Sequence, residues 1–284
     1  MDIAHLKTFL EIYRIRHFGK AAERLFITQS AASARIKILE DKLGVSLFLR
    51  NKRMVEPTAA AHRFVKYAEM SVLGWEQACQ VIALPDDFQQ SLAVGCLADI
   101  WNLFLIQWLD DIKLQFSALA LNITIQPTAS ISEQLTSRAI DVGFVFEPVL
   151  APNLEIKKIT TLQLKLFSSD PKMRLENAWD ENFIMIDWGA SFLREFAQTF
   201  RKKPLASIQT NYGSLALDIL KSRGGTAYLP EQVALGLDDS MPLYEVVDAP
   251  HFQRQLYAVF HQDTDTRKHI KEIIQLLIDN VADQ

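Results

Sequence analysis

Gln29, Ser30 and Ser33 stand at the head of an apolar-striped stretch, with Thr28 before them and Arg35 and Lys37 after. Gln29 and Ser33 have the i, i+4 spacing that puts two side chains on one helix face. Carboxamide and hydroxyl groups both donate and accept hydrogen bonds, as the base-pair edges in a major groove require. Arg50, Lys52 and Arg53 crowd a second short stretch. Clustered positive charge of this kind suits phosphates, which fix register without carrying sequence information. Catalytic patterns are missing by comparison. His5, His17, His62, His251, His261 and His269 are scattered, and no HExxH, GxSxG, GxGxxG or GxxxxGKS/T run occurs. An enzyme carrying a DNA-binding head is therefore the least supported class.

Local signals define the elements that present these residues. Lys20–Leu25 reads as an Ala-rich helix, and Phe26-Ile27 lead into Thr28, a good N-cap. Gln29–Leu43 forms a longer helix with Ile36, Leu39 and Leu43 on one stripe, and Gly44 stops it. Ala21 and Ala22 let the two helices approach closely. Residues 2–14 form an earlier helix with Ile3, Leu6, Phe9, Leu10 and Tyr13 turned inward. Leu47, Phe48 and Leu49 pack on this core, and Arg50, Lys52 and Arg53 tip a β-wing. The result is a winged helix-turn-helix over residues 1–58. The alternative is a small helical core whose basic residues are merely solvated.

Pro57-Thr58 opens a further helix, and residues 59–85 form a linker. Its apolar residues, among them Phe64, Ala68, Val72 and Trp75, recur at three and four residues. At ~1.5 Å per residue the helix is roughly 37 Å long. A striped helix of that length pairs with a copy of itself more readily than it stands alone, which makes these four the expected dimerisation residues. Pro85-Asp86-Asp87 marks a hinge.

From residue 86 to 284, strands and helices alternate. Ser91–Cys96, Leu121–Gln126 and Ile140–Phe146 are expected strands, separated by helices over Asp99–Phe116 and Ser132–Ala139. Strands at residues 154–168 lead to a second set, and Thr266–Val281 closes the chain. Alternation of this kind predicts a parallel sheet covered on both faces but fits several α/β folds. Ligands of α/β lobes sit outside the carboxyl ends of strands, where helix N-termini offer free N–H groups. The ends that stand out are Gly95-Cys96-Leu97-Ala98-Asp99, Thr128-Ala129-Ser130-Ile131-Ser132 and Thr210-Asn211-Tyr212-Gly213-Ser214, with Cys96, Leu97, Ala98, Ala129, Ser130, Ser132, Thr210 and Tyr212 the expected ligand contacts. Ser130 or Ser132 alternatively caps the helix that follows. Trp188 walls the cleft or packs beneath a helix, and Glu147 after a buried strand repels an anion. The glycines of Arg223–Pro230 serve backbone geometry rather than a phosphate loop.

The chain has 284 residues, 49% of them hydrophobic, enough for two or more domains. Its net charge of −4 conceals an asymmetry: residues 1–60 hold 11 basic against 6 acidic residues, and residues 61–284 hold 19 against 28. A basic head on an acidic body directs the head to nucleic acid. Cys79 and Cys96 have neither a CxxC partner nor a nearby His cluster, so no metal or cofactor is expected and both read as buried thiols, a redox-sensing disulfide being the minor alternative. No run is long and apolar enough to span a membrane, and the start is not a signal peptide, which predicts a cytoplasmic protein.

The runs LKTFLEI, HFGKAAERLFITQSAAS, IKILEDKLGVSLFLR and the closing PTAA resemble the DNA-binding domain of the LysR-type transcriptional regulators, most of all the HdfR-like branch. Ala34 and Ala61 depart from the pattern, where many members carry Arg and Gly. The resemblance implies an all-α winged head, a dimerising linker helix, and a periplasmic-binding-protein-like α/β domain in two lobes, of about 86–160 with 261–284, and 161–260, with an interlobe effector cleft. It implies base reading by Gln29, Ser30 and Ser33, to which Arg35 is added from its place on the helix. Thr28, Lys37, Arg50, Lys52 and Arg53 then hold phosphates, and the strand ends above, with Glu147 and Trp188, line the cleft. Double-stranded DNA, further copies of the chain as homodimer or homotetramer, a small organic-acid effector and RNA polymerase are the implied partners. A regulator whose second domain serves assembly alone is the runner-up.

Overall fold

The structure, a computed structural model, describes residues 2–50, 55–83, 88, 90–148, 150–179, 182–200, 206–235, 242–262 and 268–282. Lys52, Arg53 and the expected hinge at Pro85-Asp86-Asp87 lie outside them, as does the side chain of Arg50. The chain divides into two compact units, residues 1–87 and 88–284.

The first unit holds α1 (Ile3–Ile15), α2 (Phe18–Arg24), α3 (Gln29–Leu43), the antiparallel pair β1 (Phe48–Arg50) and β2 (Val55–Pro57), and α4 (Ala59–Ile82). Thr28 caps α3 by accepting from the Ala31 N–H, and Gly44 ends it at φ 68°, a left-handed position that suits glycine. Phe9, Ala21, Ala32, Ile36 and Leu39 are fully buried together, so the alanines do set a close helix approach. Two expected core residues are exposed. Leu43 sits on the last turn of α3, and Leu49 points outward because Phe48 beside it points in and side chains alternate along a strand. Thr58 begins α4 by accepting from the Ala61 N–H and donating to the Ser46 carbonyl.

The stripe on α4 is divided between two uses. Ala68 is fully buried in the head's own core, and Phe64 and Val72 pack against that core. Ala68 is thus used up inside the head, while Phe64 and Val72 are only partly covered by it. Trp75, farther along, is 55% exposed, and Ile82 is exposed as well.

The second unit runs β3 (Gln90–Cys96), α5 (Ala98–Ile100), a π-helical turn (Trp101–Leu105), α6 (Ile106–Gln115), β4 (Leu119–Ile125), α7 (Thr128–Thr136), β5 (Val142–Val145) and β6 (Leu154–Ser168). It continues with β7 (Phe183–Ile186), α8 (Ala190–Thr199), β8 (Ile208–Thr210), α9 (Gly213–Arg223), β9 (Thr226–Pro230), α10 (Glu231–Leu235), β10 (Tyr244–Glu245), β11 (Phe252–His261) and α11 (Lys268–Ala282). The sheet order is β4-β3-β5-β11-β6-β9-β7-β8, with β10 on β6. Each end is parallel, as expected, but the middle is not: β5, β11, β6 and β9 pair antiparallel. Residues 154–168 are one long strand. Its first half and the second half of β11 pair beside β5, and its second half pairs with β9. Where the halves meet, Leu256 pairs with Thr160 but Tyr257 with Lys158, so Ile159 is an extra residue, a β-bulge that bends the strand. Thus β6 and β11 lie side by side as they pass from one half of the sheet to the other.

α7 starts at Thr128, one turn earlier than expected, because Pro127 at φ −65° leads the chain straight into helical geometry. Ser130 and Ser132 are therefore inside the helix and neither caps it. The Ser132 hydroxyl donates to the Thr128 carbonyl.

Candidate nucleic-acid interface and interlobe cleft

The N-terminal end of α3 is an exposed polar surface. The Thr28 hydroxyl serves the cap at 3.2 Å and lies 2.9 Å from the Ser30 hydroxyl. Gln29, Ser30 and Lys37 are exposed and Ser33 is half-buried. Ser33, Ala34 and Lys37 line a groove whose other wall is Ser46, Phe48 and Leu49. Glu40 docks that wall onto the helix: its Oε1 accepts from the N–H groups of Leu47 and Phe48 at 2.6 and 3.2 Å. No local sequence signal distinguishes Glu40 from a solvated acid.

Arg35 does not join this set. It is two residues beyond Ser33, so helical phase turns it away, and its Nη1 donates to the Thr8 hydroxyl at 3.3 Å. Thr8 is fully buried and its own hydroxyl donates to the Ala4 carbonyl. The turn between α2 and α3 carries a feature with no prior signal. Phe26 has φ 54° and is 96% exposed. Its backbone N–H is held by the Glu23 carbonyl at 3.1 Å.

In the second unit a cleft of about 490 Å³ is lined by Leu97, Ala98, Asp99, Ile125, Gln126, Pro127, Thr128, Phe146, Glu147, Asp187, Trp188, Gly189, Asn211 and Tyr212. Leu97, Ala98, Glu147, Trp188 and Tyr212 were expected there. Cys96 is not a wall; it is buried in the core, and desolvation pushes its thiol up to about 11. Of the end expected at Thr128–Ser132, Thr128 lines the cleft beside Pro127, while the early start of α7 takes Ala129, Ser130 and Ser132 away from it. The Thr210 hydroxyl is used locally, accepting from the Tyr212 N–H at 3.0 Å.

Two of the helix N-termini at the cleft, those of α8 and α9, are already occupied by the chain's own carboxylates, whereas Pro127 caps α7 with no side-chain hydrogen bond. Asp99, 7% exposed, accepts from the Gly213 N–H at the start of α9 through both oxygens, at 2.9 and 3.1 Å. Burial pushes its carboxyl up to about 6, against the pull of the Gly213 and Ser214 N–H groups. A Cβ at Gly213 would meet Trp188 at 2.8 Å and Asp99 at 3.1 Å, so glycine makes the approach feasible. Asn102 on the π-helical turn reinforces the contact by donating to the Tyr212 and Ser214 hydroxyls.

Glu147 does the same at α8, accepting from the N–H groups of Ser191 at 2.6 Å and Ala190 at 3.1 Å. Arg254 donates to it at 3.0 Å from behind. Burial pushes the Glu147 carboxyl up, but the bonds from Ser191 and Arg254 outweigh it and hold the carboxyl below the usual range. Glu147 is thus a neutralised cap rather than a free repelling charge. Gly189, at φ 105°, leaves room for this pair, since a Cβ there would meet Arg254 at 2.7 Å. Trp188 both walls the cleft and packs inside: its Nε1 donates to the Tyr228 carbonyl at 2.9 Å, and its ring meets Phe146 edge-on.

Among the described residues, no group of His, Cys, Asp and Glu is placed to hold a metal, and no helix is long and apolar enough to cross a membrane.

Comparison with known proteins places both units. The family model "Bacterial regulatory helix-turn-helix protein, lysR family" matches residues 3–62, and "LysR substrate binding domain" matches residues 85–282. The chain is similar to the HTH-type transcriptional regulator HdfR of Yersinia enterocolitica serotype O:8 / biotype 1B, 32% identical over 291 residues covering 99% of this chain and 98% of that one. HdfR of Yersinia pestis (strain Pestoides F) matches at the same identity and coverage. Among solved structures, CbnR, a LysR family transcriptional regulator, aligns with a TM-score of 0.73 at 18% identity over 99% of this chain and 98% of that one. Full-length CbnR in complex with its target DNA aligns with a TM-score of 0.74 at 20% identity over 99% of each chain.

Proposed function

The chain belongs to the LysR family of DNA-binding transcriptional regulators, and from that premise we propose how its residues divide the work. Gln29, Ser30 and Ser33 read base edges from the start of α3. Thr28 and Lys37, with Arg50, Lys52 and Arg53 of the wing, hold phosphates. Arg35 fixes α3 against α1 and is not a reader. Two copies pair through the Trp75 end of α4 in the cytoplasm, and RNA polymerase is the partner through which bound copies act. The cleft between the lobes takes a small effector, and its occupancy changes operator affinity, since coupling between two sites is reciprocal.

The observation that carries this reading is the exposed polar start of α3 beside the groove walled by the wing. Gln29→Ala and Ser33→Ala should each weaken operator binding by roughly 1–3 kcal/mol while leaving binding to random DNA nearly unchanged. Equal losses on both DNAs in a titration would show that neither residue reads bases. A second reading, a domain that serves assembly alone, is favoured by one observation: Asp99 and Glu147 already fill two of the helix ends that an anion would use, those of α9 and α8.

A further inference from the structure

The two sides of the cleft are joined by hydrogen bonds that neither side could make alone. We propose that Asp99 and Glu147 are latches: from one lobe they cap the helices of the other, and so hold the two lobes closed without a ligand. Closure of this kind goes beyond the effector reading above and holds whether or not an effector exists.

Neither α8 nor α9 is capped from within its own lobe. Their N-cap residues, Gly189 and Tyr212, make no side-chain hydrogen bond to the helix. The caps come from across the cleft instead. Glu147, two residues past the end of β5, accepts from the Ala190 and Ser191 N–H groups. Asp99 on α5 accepts from the Gly213 N–H through both oxygens. β3, β4 and β5 stand at one end of the sheet and β7, β8 and β9 at the other, so each of these bonds spans the lobes. Opening the cleft would strip both helices of a cap at once. The glycines are fitted to this closeness. A Cβ at Gly213 would meet Trp188 at 2.8 Å, and one at Gly189 would meet Glu147 at 3.0 Å. Asn102 adds bonds to the Tyr212 and Ser214 hydroxyls across the same gap, at 3.1 and 3.0 Å. Burial works against both charges. At Glu147 the bonds from Ser191 and Arg254 outweigh it, and at Asp99 those from Gly213 and Ser214 do not, which makes Glu147 the stronger latch. A domain shut by its own side chains has opening, not closing, as the movement left to it.

A distance between the lobes tests the latches directly. Full-length protein with Cys79→Ser is spin-labelled at Leu114→Cys on α6 and Gln198→Cys on α8, both exposed positions. It is mixed with excess unlabelled chain, so that only distances within one copy are read, and dialysed exhaustively. Double electron–electron resonance should then give one narrow distance. Glu147→Ala should broaden the distribution and lengthen its mean by several ångströms, Asp99→Ala should do so less, and the two together most. Gly213→Ala keeps both carboxylates but wedges a methyl group between Trp188 and Asp99, so it should open the cleft as well. A wild-type distribution as broad as that of the double variant overturns the latches. So does a narrow distribution that every variant leaves unchanged. Circular dichroism reports whether each variant folds, and if the double variant does not, Gly213→Ala decides. No ligand enters the experiment, so its failure leaves effector sensing open, and operator binding by the wild-type chain reports separately on the DNA-binding assignment.

Discussion

Asp99 is an acid that the fold makes weaker, so that it keeps its proton to higher pH than a free carboxyl does. Its carboxyl is pushed from 3.8 up to about 6 by burial. Between those values the folded chain holds a proton that the unfolded chain has released, so this group's contribution to stability falls as pH rises from about 4 to about 6. The size of the fall is about 3 kcal/mol at ~1.4 kcal/mol per unit. Asp99→Asn has no proton to lose, and its pH–stability curve, followed by denaturant melts, should lack that fall. Glu147 acts in the opposite sense: held below 4.5, it contributes stability at higher pH that is lost as the carboxyl protonates. Phe26 is the other residue under tension. A bulky side chain in the left-handed region is disfavoured, and Phe26 buries nothing in return. Phe26→Asn should stabilise the first unit by about 0.5–1 kcal/mol in a urea melt. Thr28 and Gly44 were legible because a cap is chemistry between near neighbours. The Asp99 and Glu147 contacts were not, because each partner lies far along the chain and each acid alone looks like any surface carboxylate. Arg35 could have been placed from helical phase alone.

At the scale of elements, the wing is positioned by a helix, not by its own strands. Strands as short as β1 and β2 have little stability of their own, and Glu40 supplies the tie to α3. Glu40→Ala leaves two partly buried N–H groups unpaired and should cost about 1–2 kcal/mol. It should also weaken operator and random DNA together, because the wing loses its place while Gln29 and Ser33 keep theirs. Unchanged DNA binding in a titration would show that the wing holds itself. The long helix α4 is the instructive case for sequence reading. Its stripe was legible, yet periodicity reports only that a face is covered, and the head itself buries Ala68 and packs on part of Phe64 and Val72. Trp75 is exposed, and under the pairing proposed above Trp75→Glu should give a smaller species in sedimentation, whereas Ala68→Glu should unfold the head. A wild-type chain that is monomeric at micromolar concentration would remove Trp75 from any interface. The parallel ends of the sheet followed from alternation of strands and helices. The antiparallel middle did not, because β6 and β11 read as ordinary strands and only their pairing reveals that both belong to both halves.

At the scale of the whole molecule, charge separates the tasks. Residues 1–60 carry an excess of base and residues 61–284 an excess of acid, so phosphate attracts one end of the chain and repels the rest. The acidic part also contains the cleft, whose own carboxylates tie one lobe to the other. The way the lobes are joined limits what a ligand there can do. β6 and β11 cross side by side, hydrogen-bonded to each other across the bulge at Ile159. Two knuckles set on one pin let a door swing and forbid it to slide. Rocking the lobes about the line where those strands cross would leave the ladder whole, whereas translating one past the other would tear it. Whatever enters the cleft therefore reports itself through a single angle.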